Sequence, residues 1–373
     1  MKYLSELKKE DVYGKTVLLR ASLNVPSRDN LILDDTRIRA SVDSIRLLKR
    51  NGARVVVVAH VGGDGSMSLR PVVERLNDFI RVGFTDVPLT EAQSIISEMK
   101  NGTVLVLENI RQYDGEKKAS VSFSKQLASL ADMYVNDAFS VSHRTHASIV
   151  GVPSHLPSYA GLLFEQEYKN LSKALTPKHP FVLIMGGVKV TTKLPLLLSY
   201  KEKADAVFVG GILLNTILKS AGYEVGLSLV DNDALPLLKQ HTVQHITFPD
   251  FVIIRTPEGK KRTRNIRDIQ ADDCIVDVAP RSIRAFFDAQ RNTKMIVWNG
   301  PMGNYEAGYG IGTKTLISEL ANSGAYTIVG GGDSSVLIKK MRKRKMFNFI
   351  STAGGAMLDF LSDGSLPGID ALG

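Results

Sequence analysis

Short runs of β-branched and other apolar residues recur along the chain, and segments with a helical repeat separate them. Such runs are typical of strands buried on both faces of a parallel sheet. The segment 36–52 places apolar residues three and four apart and stops at Gly52, as an amphipathic helix does. Strand alternating with helix predicts an α/β fold with doubly wound parallel sheets. The runs are TVLLRASLN, ARVVVVAHVGG, TVLVLENIR, MYVNDAFS, FVLIMGGVK, AVFVGG, CIVDVAP, MIVWNGPMG, YTIVGGG and FNFISTAGG.

The residues that follow these runs differ between the two halves of the chain. Runs in the first half end in polar and charged residues, whereas most runs in the second half end in glycine pairs or triplets. Ligands of open α/β sheets bind beyond the carboxyl ends of the strands. The sequence therefore predicts two domains, one with a cationic pocket for a small anion and one where backbone approaches a nucleotide or phosphate. Segment 160–175 predicts a long amphipathic helix that connects them.

Composition narrows the class of protein. The chain has 373 residues, 44% of them hydrophobic and 23% charged, and carries a formal net charge of +9, which fits a globular protein with anionic partners. Its single cysteine, Cys274, excludes a disulfide framework and a zinc ribbon and suggests a reducing compartment. No apolar stretch is long enough to cross a bilayer, and the first residues lack the apolar core of a signal peptide. We therefore expect a cytoplasmic protein.

Two basic runs, 260–264 and 339–345, are the densest positive segments of the chain. We interpret both as solvated helix ends, because neither has the interleaved aromatic residues that stack on bases. Binding to nucleic acid is therefore not expected.

Lysines and an aspartate follow the glycines of the second half. In MGGVKVTTK, Lys189 and Lys193 are four residues apart, so at a helix start they could share one face beside a bound anion. The alternative is a strand-end turn with solvated lysines. In VGGGDSS, Asp333 and Ser334 are predicted to cap a helix, or Asp333 lies near a phosphate-bound Mg²⁺.

Cationic and imidazole side chains follow the strands of the first half. The run NDAFSVSHRTHAS could suggest a metal site, but Arg144 between His143 and His146 would oppose a cation. No hydrolase motif such as GxSxG or HExxH is present. Arginine forks suit a carboxylate and a phosphate, and four residues could converge on such groups: Arg37, His60, Arg111 and Arg144.

Taken together, the chain resembles the phosphoglycerate kinase family over nearly its whole length. The collinear motifs are RASLNVP, TRIRAS, LENIR, NDAFSVSHRTHAS, AGLLFEQE, GGVKVTTK, GYEVGLSL, WNGPMGNYE, GGGDSS and STAGGAMLDFL. The resemblance implies two doubly wound parallel-sheet domains joined by a hinge helix, and reversible phosphoryl transfer between 1,3-bisphosphoglycerate and ADP with Mg²⁺. It also implies closure about the hinge. The expected parts are an N-terminal domain at 1–158, the helix at 159–175, a C-terminal domain at 176–355 and a tail at 356–373 that returns to the first domain.

The resemblance also implies the site residues. Arg37 and Lys189 would flank the transferred phosphoryl group, and Asp333 would face the metal ion. The positions expected to bind 3-phosphoglycerate are Ser22, Asn24, Arg37, His60, Gly63, Arg111 and Arg144. Those expected to bind the nucleotide are Gly187, Lys189, Lys193, Gly211, Asn299, Glu306, Gly330, Gly331, Gly332, Asp333 and Ser334.

Several positions depart from the family pattern, among them Asp64, which stands where the family has a proline. Ser22 stands where the family has an aspartate and Gly63 where it has an arginine, which predicts weaker binding of the acid. Ile212 and Ala353 each replace a glycine near the expected nucleotide. Three functions follow as hypotheses: a divergent phosphoglycerate kinase, a related enzyme with a different acid substrate, or a non-catalytic basic binding protein of the same fold. A monomer is expected in each case.

Overall fold

The computed structural model describes residues 1–240 and 246–373. By its internal contacts the chain divides into two units, Met1–Lys169 with Ser365–Gly373, and Asn170–Gly364. The division falls inside the long helix Leu162–Leu175. The domain boundaries expected from the sequence stay predictions.

A twisted sheet of parallel strands forms the centre of the first unit, in the order β5-β6-β4-β1-β7-β8, and a short hairpin of β2 and β3 stands apart from it. The two central strands are buried along nearly their whole length. The strands are β1 (Thr16–Arg20), β2 (Ser27–Arg28), β3 (Leu31–Ile32), β4 (Arg54–Val58), β5 (Gly83–Thr85), β6 (Val104–Leu107), β7 (Met133–Asn136) and β8 (Ser158–Ala160).

Amphipathic helices cover this sheet. The second helix buries Ile38, Ile45 and Leu48 in the same core as the strand residues Val17 and Val55. Burial of such side chains stabilises the unit by about 25 cal/mol per Å² of apolar surface. The helices are α1 (Lys9–Val12), α2 (Thr36–Arg50), α3 (Arg70–Asn77), α4 (Leu89–Ser97), α5 (Asp114–Lys117), α6 (Val121–Ala128) and α7 (Leu162–Leu175), with 3₁₀ turns at Leu4–Glu6, Ile110–Gln112, Phe139–Val141 and Val152–Ser154 and a π-helical turn at Ala147–Gly151.

The second unit is built on a parallel sheet of its own. The order of its described strands is β11-β10-β9-β15-β16-β17, and a smaller antiparallel sheet has the order β13-β12-β14. The strands are β9 (Phe181–Met185), β10 (Ala206–Val209), β11 (Ile246–Thr247), β12 (Phe251–Arg255), β13 (Lys261–Asn265), β14 (Cys274–Val278), β15 (Met295–Asn299), β16 (Tyr326–Gly330) and β17 (Phe349–Ile350).

Most of the remaining helices belong to the second unit. Residues Ser365–Gly373 rejoin the first unit, where the amide of Gly368 donates a hydrogen bond to the carbonyl of Ser142. The helices are α8 (Leu194–Tyr200), α9 (Gly211–Ser220), α10 (Leu235–Gln240), α11 (Pro280–Ala289), α12 (Ile311–Asn322), α13 (Gly332–Lys340), α14 (Gly355–Asp363) and α15 (Pro367–Asp370), with a 3₁₀ turn at Arg344–Met346. No described helix has the length and apolar character to cross a membrane.

The predicted fold class is confirmed, with two local corrections. The run CIVDVAP forms β14, which is antiparallel to β12, so its assignment to a parallel sheet is wrong. The basic run 260–264 lies largely in β13 and not at a helix end, whereas 339–345 does begin in the last turn of α13. An apolar run encodes burial but not the direction of the strand with which it pairs.

A buried carboxylate that pairs with two partly exposed arginines ties α2 to α3 in the first unit. The Asp35 carboxylate, 8% exposed, lies 2.9 Å from Nη2 of Arg39 and 2.5 Å from Nη2 of Arg75. The Arg39 guanidinium, together with that of Arg75, lowers the pKa of Asp35 to about 2. A lowered carboxyl pKa adds stability above the unfolded-state pKa, and that stability is lost as the pH falls through the folded-state value.

We expect Asp35→Asn to lower the free energy of unfolding by about 1–2 kcal/mol at pH 7, because it removes an acceptor from two guanidinium groups. The difference from the unmodified chain should shrink by about half between pH 5 and pH 3. Urea titrations at several pH values measure it. Asp43→Asn, which removes a solvent-exposed partner of Arg46, is the matched control and should change stability by less than about 0.5 kcal/mol. A pH-independent loss would contradict the assignment.

Candidate active site

The carboxyl ends of four neighbouring strands of the first unit carry its polar cluster. Because β6, β4, β1 and β7 run parallel, the residues that follow them meet at one edge of the sheet. The loops after these strands supply most of the residues predicted from the sequence, namely Ser22, Asn24, His60, Gly63, Arg111 and Arg144.

A fully buried arginine fixes the protonation of a histidine in this cluster. Nη2 of Arg20 lies 2.8 Å from Nδ1 of His60, and since a guanidinium only donates, Nδ1 is the acceptor and carries no proton. Burial, with the charges of Arg20 and Arg111, keeps the pKa of His60 far below its ordinary value. The imidazole is therefore neutral with its proton on Nε2. That buried N–H has no hydrogen-bond partner among the described residues.

Arg111 presents a second unsatisfied donor in the same cluster. Its side chain is 7% exposed, and Nη1 donates to the carbonyl of Gly62 at 2.7 Å. Burial, and then the positive charges of Arg20 and Arg144, lower the pKa of Arg111 to about 10, so it stays cationic at neutral pH. Its Nε also lacks a partner within the described part of the chain. Buried donors without acceptors are costly, so this edge is suited to an anionic ligand.

The loop after β1 brings further residues to this edge. Oγ of Ser22 lies 2.7 Å from Oγ of Ser140, and Oδ1 of Asn24 accepts from the amide of Gly62 at 3.1 Å. Nη1 of Arg37 donates to the carbonyl of Asn24 at 2.8 Å, and burial lowers the pKa of Arg37. The structure therefore connects Arg37, on α2, to the loop of Asn24.

Gly63 and Arg144 are more exposed than their neighbours in the cluster. A Cβ atom built on Gly63 meets no atom within 4 Å, so a side chain would fit there. The charge of Arg144 lowers the pKa of Arg111, which puts its guanidinium close to the buried group. Ser140, the partner of Ser22, was not predicted as a site residue.

The glycines of the second unit let strand ends pack backbone against backbone. Gly300, at a φ of +90°, and Gly211, at a φ of +62°, adopt a conformation that favours glycine. A Cβ on Gly300 would overlap the carbonyl oxygen of Gly186, and one on Gly211 would overlap the backbone of Gly187. These glycines therefore bring the ends of β9, β10 and β15 together.

A buried lysine lies at this edge of the second sheet. Lys193 is 9% exposed, and its Nζ donates to Oδ1 of Asn299 at 2.7 Å. Burial lowers the pKa of Lys193 to about 8, and the carboxylate of Asp333 opposes that shift, so the two groups are near one another. Lys193 is thus mostly charged at pH 7 and placed to attract an anion.

The predicted helical pairing of the two lysines is wrong. Helix α8 begins at Leu194 with Lys193 at the N-cap position, so Lys189 precedes the helix and is exposed. Pro195, at the second helical position, signals a start at Leu194, because proline is favoured in the first turn.

The glycine triplet before α13 forms a helix N-terminus. Gly331, at a φ of +98°, is the N-cap residue, so the predicted capping by Asp333 and Ser334 is also wrong. Asp333 is exposed in the first turn, and the buried Oγ of Ser334 has no partner among the described residues. The free N–H groups of such an N-terminus favour an anion. Gly330, at the end of β16, has no room for a side chain beside Asn299 and Met357.

A cavity of about 230 Å³ opens beside these strand ends. Its walls are largely apolar, and include Gly187, Gly211 and Ile212, and it is also lined by Glu306. Asn215, a lining residue that was not predicted, donates through Nδ2 to the carbonyl of Leu229 at 3.1 Å. Its Oδ1 is buried without a donor within residues 1–240 and 246–373. A flat apolar ring that carries an N–H group would fit this lining.

The chain is similar to known phosphoglycerate kinases along its whole length. The family described as phosphoglycerate kinase matches residues 7–364. The enzyme so named from Dictyoglomus turgidum is 39% identical over 100% of this chain and 98% of its own length. That from Pelotomaculum thermopropionicum is 38% identical over 97% of each chain.

Solved structures agree with the sequence comparison. The phosphoglycerate kinase of Coxiella burnetii superposes with a TM-score of 0.86 at 33% identity, over 99% of this chain and 98% of that one. The enzyme of Pyrococcus horikoshii gives a TM-score of 0.88 at 28% identity, over 100% and 98% of the two chains. With two parallel-sheet units, unsatisfied donors at one strand edge and a glycine-lined edge at the other, this chain belongs to the phosphoglycerate kinase family.

Proposed function

We propose that the protein transfers a phosphoryl group reversibly between 1,3-bisphosphoglycerate and ADP, giving 3-phosphoglycerate and ATP. The observation that carries this proposal is the coexistence, in one member of the family, of an edge with buried unsatisfied donors and an edge with a buried lysine beside glycines. The first suits a small acid, and the second suits the phosphates of a nucleotide.

The first unit would bind the acid. Nε2 of His60 and Nε of Arg111 would donate to its carboxylate or phosphate oxygens, since both lack acceptors among the described atoms of the chain. Ser22 and Asn24 would contact the rest of the molecule, and Gly63 would leave one side open. The residues proposed for this binding are Ser22, Asn24, Arg37, His60, Gly63, Arg111 and Arg144.

The second unit would bind the nucleotide, with its base in the cavity and its phosphates near Lys193. Asn299 would position the ammonium of Lys193 through their hydrogen bond, and the N-terminus of α13 would receive a phosphate. The residues proposed for this binding are Gly187, Lys189, Lys193, Gly211, Asn299, Glu306, Gly330, Gly331, Gly332, Asp333 and Ser334.

The chemistry requires positioning and positive charge more than proton transfer. A β-phosphate oxygen of ADP forms the new bond to phosphorus, while the bond from phosphorus to the acyl oxygen breaks and leaves a carboxylate. Because a carboxylate is a stable leaving group, no general acid is needed. Arg37 and Lys189 would face the equatorial oxygens, where negative charge is spread.

A magnesium ion fits the donor set at Asp333. Mg²⁺ in kinases is held by one or two carboxylates together with phosphate oxygens and water, and Asp333 offers an exposed carboxylate near Lys193. When bound, the ion neutralises phosphate charge. Within the described part of the chain, no group of three or more His, Cys, Asp or Glu side chains is placed to hold a metal ion by itself.

A different small acid is the second candidate substrate. The Ser22–Ser140 pair offers two neutral hydroxyls, and the space at Gly63 holds no side chain. The non-catalytic alternative is disfavoured by the retained Lys193, Asn299 and Asp333.

We further propose that the protein acts in glycolysis, in the cytoplasm and as a monomer.

Purified protein should turn over MgATP with 3-phosphoglycerate in a coupled assay, and the same assay with GTP would measure base preference. If no turnover is seen although MgATP still binds, the substrate is another acid. If neither turnover nor nucleotide binding is seen, the result supports the non-catalytic alternative.

Affinity for MgADP should fall as the pH is raised through about 8, because free Lys193 then loses the proton that makes it a cation. Lys193→Met should lower affinity at pH 7 by roughly 10- to 100-fold and remove this pH dependence. Calorimetric titration between pH 7 and pH 9.5 measures both. Lys219→Met, at an exposed position of α9, is the matched control and should bind like the unmodified chain. An unchanged pH profile in Lys193→Met would disprove the assignment.

Ser22→Asp combined with Gly63→Arg should tighten binding of 3-phosphoglycerate by roughly tenfold or more, since each adds a charged hydrogen-bonding group. The Gly63 substitution has open space, and Ser140 is placed to donate to the new carboxylate. The KM for 3-phosphoglycerate and a direct titration measure the gain. Ser97→Arg, exposed near the end of α4, supplies the same positive charge at the opposite strand edge and should have no effect. Equal affinity in all variants would mean that the pocket recognises the acid through other residues.

A further inference from the structure

The small antiparallel sheet places a thiol beside one cation, with a second cation on the next strand beyond it. Arg255 on β12 is directly opposite Lys261 on β13 and Cys274 on β14. Residues directly opposite one another in such a sheet point to the same face. Lys261, Arg255 and Cys274 therefore form a row across one face of the sheet.

Among the described residues no carboxylate pairs directly with a cation of this row, although Nζ of Lys261 donates to the carbonyl of Gly308 at 3.4 Å and its charge acts on the carboxyl of Asp277. Neither Arg255 nor Lys261 forms an ion pair with any described residue, whereas Arg264 of the same strand as Lys261 pairs with Asp273 at 3.0 Å. Nζ of Lys261 lies over the ring of Tyr309, 4.5 Å from its centroid. Like charges directly opposite one another are destabilising in a sheet, so this pair gains from an anion beside it.

The row ends at the cavity described above. Cys274 is partly exposed and lines that cavity together with Asn215. Asn215 is 3% exposed, and its Oδ1 has no donor among the residues that the structure describes. Because Nδ2 is already bonded to Leu229, Oδ1 is fixed as an acceptor and awaits an N–H or O–H group of a ligand. This acceptor is independent of the thiol and indicates that the cavity beside Cys274 receives a polar molecule.

Two carboxyl groups, those of Asp277 and Glu306, also line the cavity, and their surroundings differ. Asp277 accepts from the amides of Val278 and Gly312, both at 2.9 Å, and burial raises its pKa to about 7. Glu306 is exposed to solvent, where its charge is screened. Arg255, which is directly opposite Cys274 and forms no ion pair with a described residue, is therefore the cation best placed to attract an anion to the thiol.

We propose that Cys274 is a site of reversible S-thiolation by a small disulfide that bears carboxylate groups and amide N–H groups. The thiolate of Cys274 attacks one sulfur of the disulfide R–S–S–R, the new S–S bond to Cys274 forms, and the old S–S bond breaks. The leaving thiolate R–S⁻ takes a proton from solvent. Arg255 and Lys261 attract the carboxylates, and Asn215 accepts from an amide N–H of the attached group. The adduct occupies the cavity and excludes whatever binds there.

Oxidised glutathione is the probe that tests this site. Because Cys274 is the chain's one cysteine, the intact mass of the folded full-length protein reports modification at this position alone. We expect one adduct per chain, released by a reductant and absent in Cys274→Ser. The reaction with the cationic disulfide cystamine should be at least threefold slower. A folded chain that stays unmodified while the urea-unfolded chain reacts, or a faster reaction with cystamine, would refute the proposal.

Charge reversal separates the role of the row from general electrostatics. Arg255→Glu should slow the reaction with oxidised glutathione at least threefold and speed that with cystamine. The matched control is Arg262→Glu, which makes the same change of charge on β13. Arg262 follows Lys261 and is opposite Ile254, so it lies on the other face of the sheet. This control should leave the ratio of the two rates within twofold. Equal effects of the two substitutions would overturn the role of Arg255.

The effect on ligand binding rests on the proposed function, in which the base of the nucleotide enters this cavity. MgADP should protect Cys274 from oxidised glutathione, and the adduct should bind MgADP at least tenfold more weakly, with recovery after reduction. Unchanged MgADP affinity in the adduct would overturn the claim that the attached group fills the cavity. If the unmodified chain binds no MgADP, the proposed function fails, while adduct formation and its charge preference still decide the modification itself.

Discussion

The first unit depends on how it accommodates one fully buried positive charge. Arg20 is 0% exposed, and burial lowers its pKa, although the carboxylate of Glu116 opposes that shift. Its guanidinium donates to Oγ of Ser148, to the carbonyl of Ala21 and to His60. Ser148 in turn donates to Glu116 through its amide and its hydroxyl. This network links β1, the loop after β4, helix α5 and the segment after β7, so one charge sets both the packing of the edge and the tautomer of His60.

The second unit also gathers residues at the ends of its parallel strands, but it does so through glycines and not through a buried charge. Its strand ends carry glycines, which allow the loops after β9, β10 and β15 to touch through their backbones. The side chain of Lys193 lies beside these glycines and donates a hydrogen bond to Asn299. One edge is thus built from a buried network of side chains and the other from close backbone contacts, although both follow the same parallel strand arrangement.

Much of the fold follows from the sequence, because a continuous apolar run encodes a strand that is buried on both faces. The limit appears at β14, whose mainly apolar run predicts a buried strand, while its antiparallel direction depends on β12, which pairs in turn with the polar and basic strand β13. The positions of His60, Arg111 and Lys193 were predictable because they follow such runs. The start of α8 was also encoded, at Pro195, but the spacing of the two lysines suggested an earlier start.

Other parts of the site could not be predicted because they depend on contacts between residues far apart in the chain. Ser22 and Ser140 are 118 positions apart, and Asn215 is oriented by the carbonyl of Leu229 in a separate loop. No local pattern marks such partners. Burial is equally hidden, since Lys189 and Lys193 have the same chemistry in the sequence, and only the folded chain shows that one is exposed and the other enclosed.

The neutral tautomer of His60 has a consequence for how each edge responds to acidity. Its Nε2–H and the guanidinium of Arg111 keep their protons from mildly acidic to mildly alkaline solution, so the number of donors there does not change. Lys193, by contrast, changes charge close to neutrality. A change in pH near neutrality would therefore change the charge at the strand ends of the second unit, while the charge and the donors at those of the first unit stay the same.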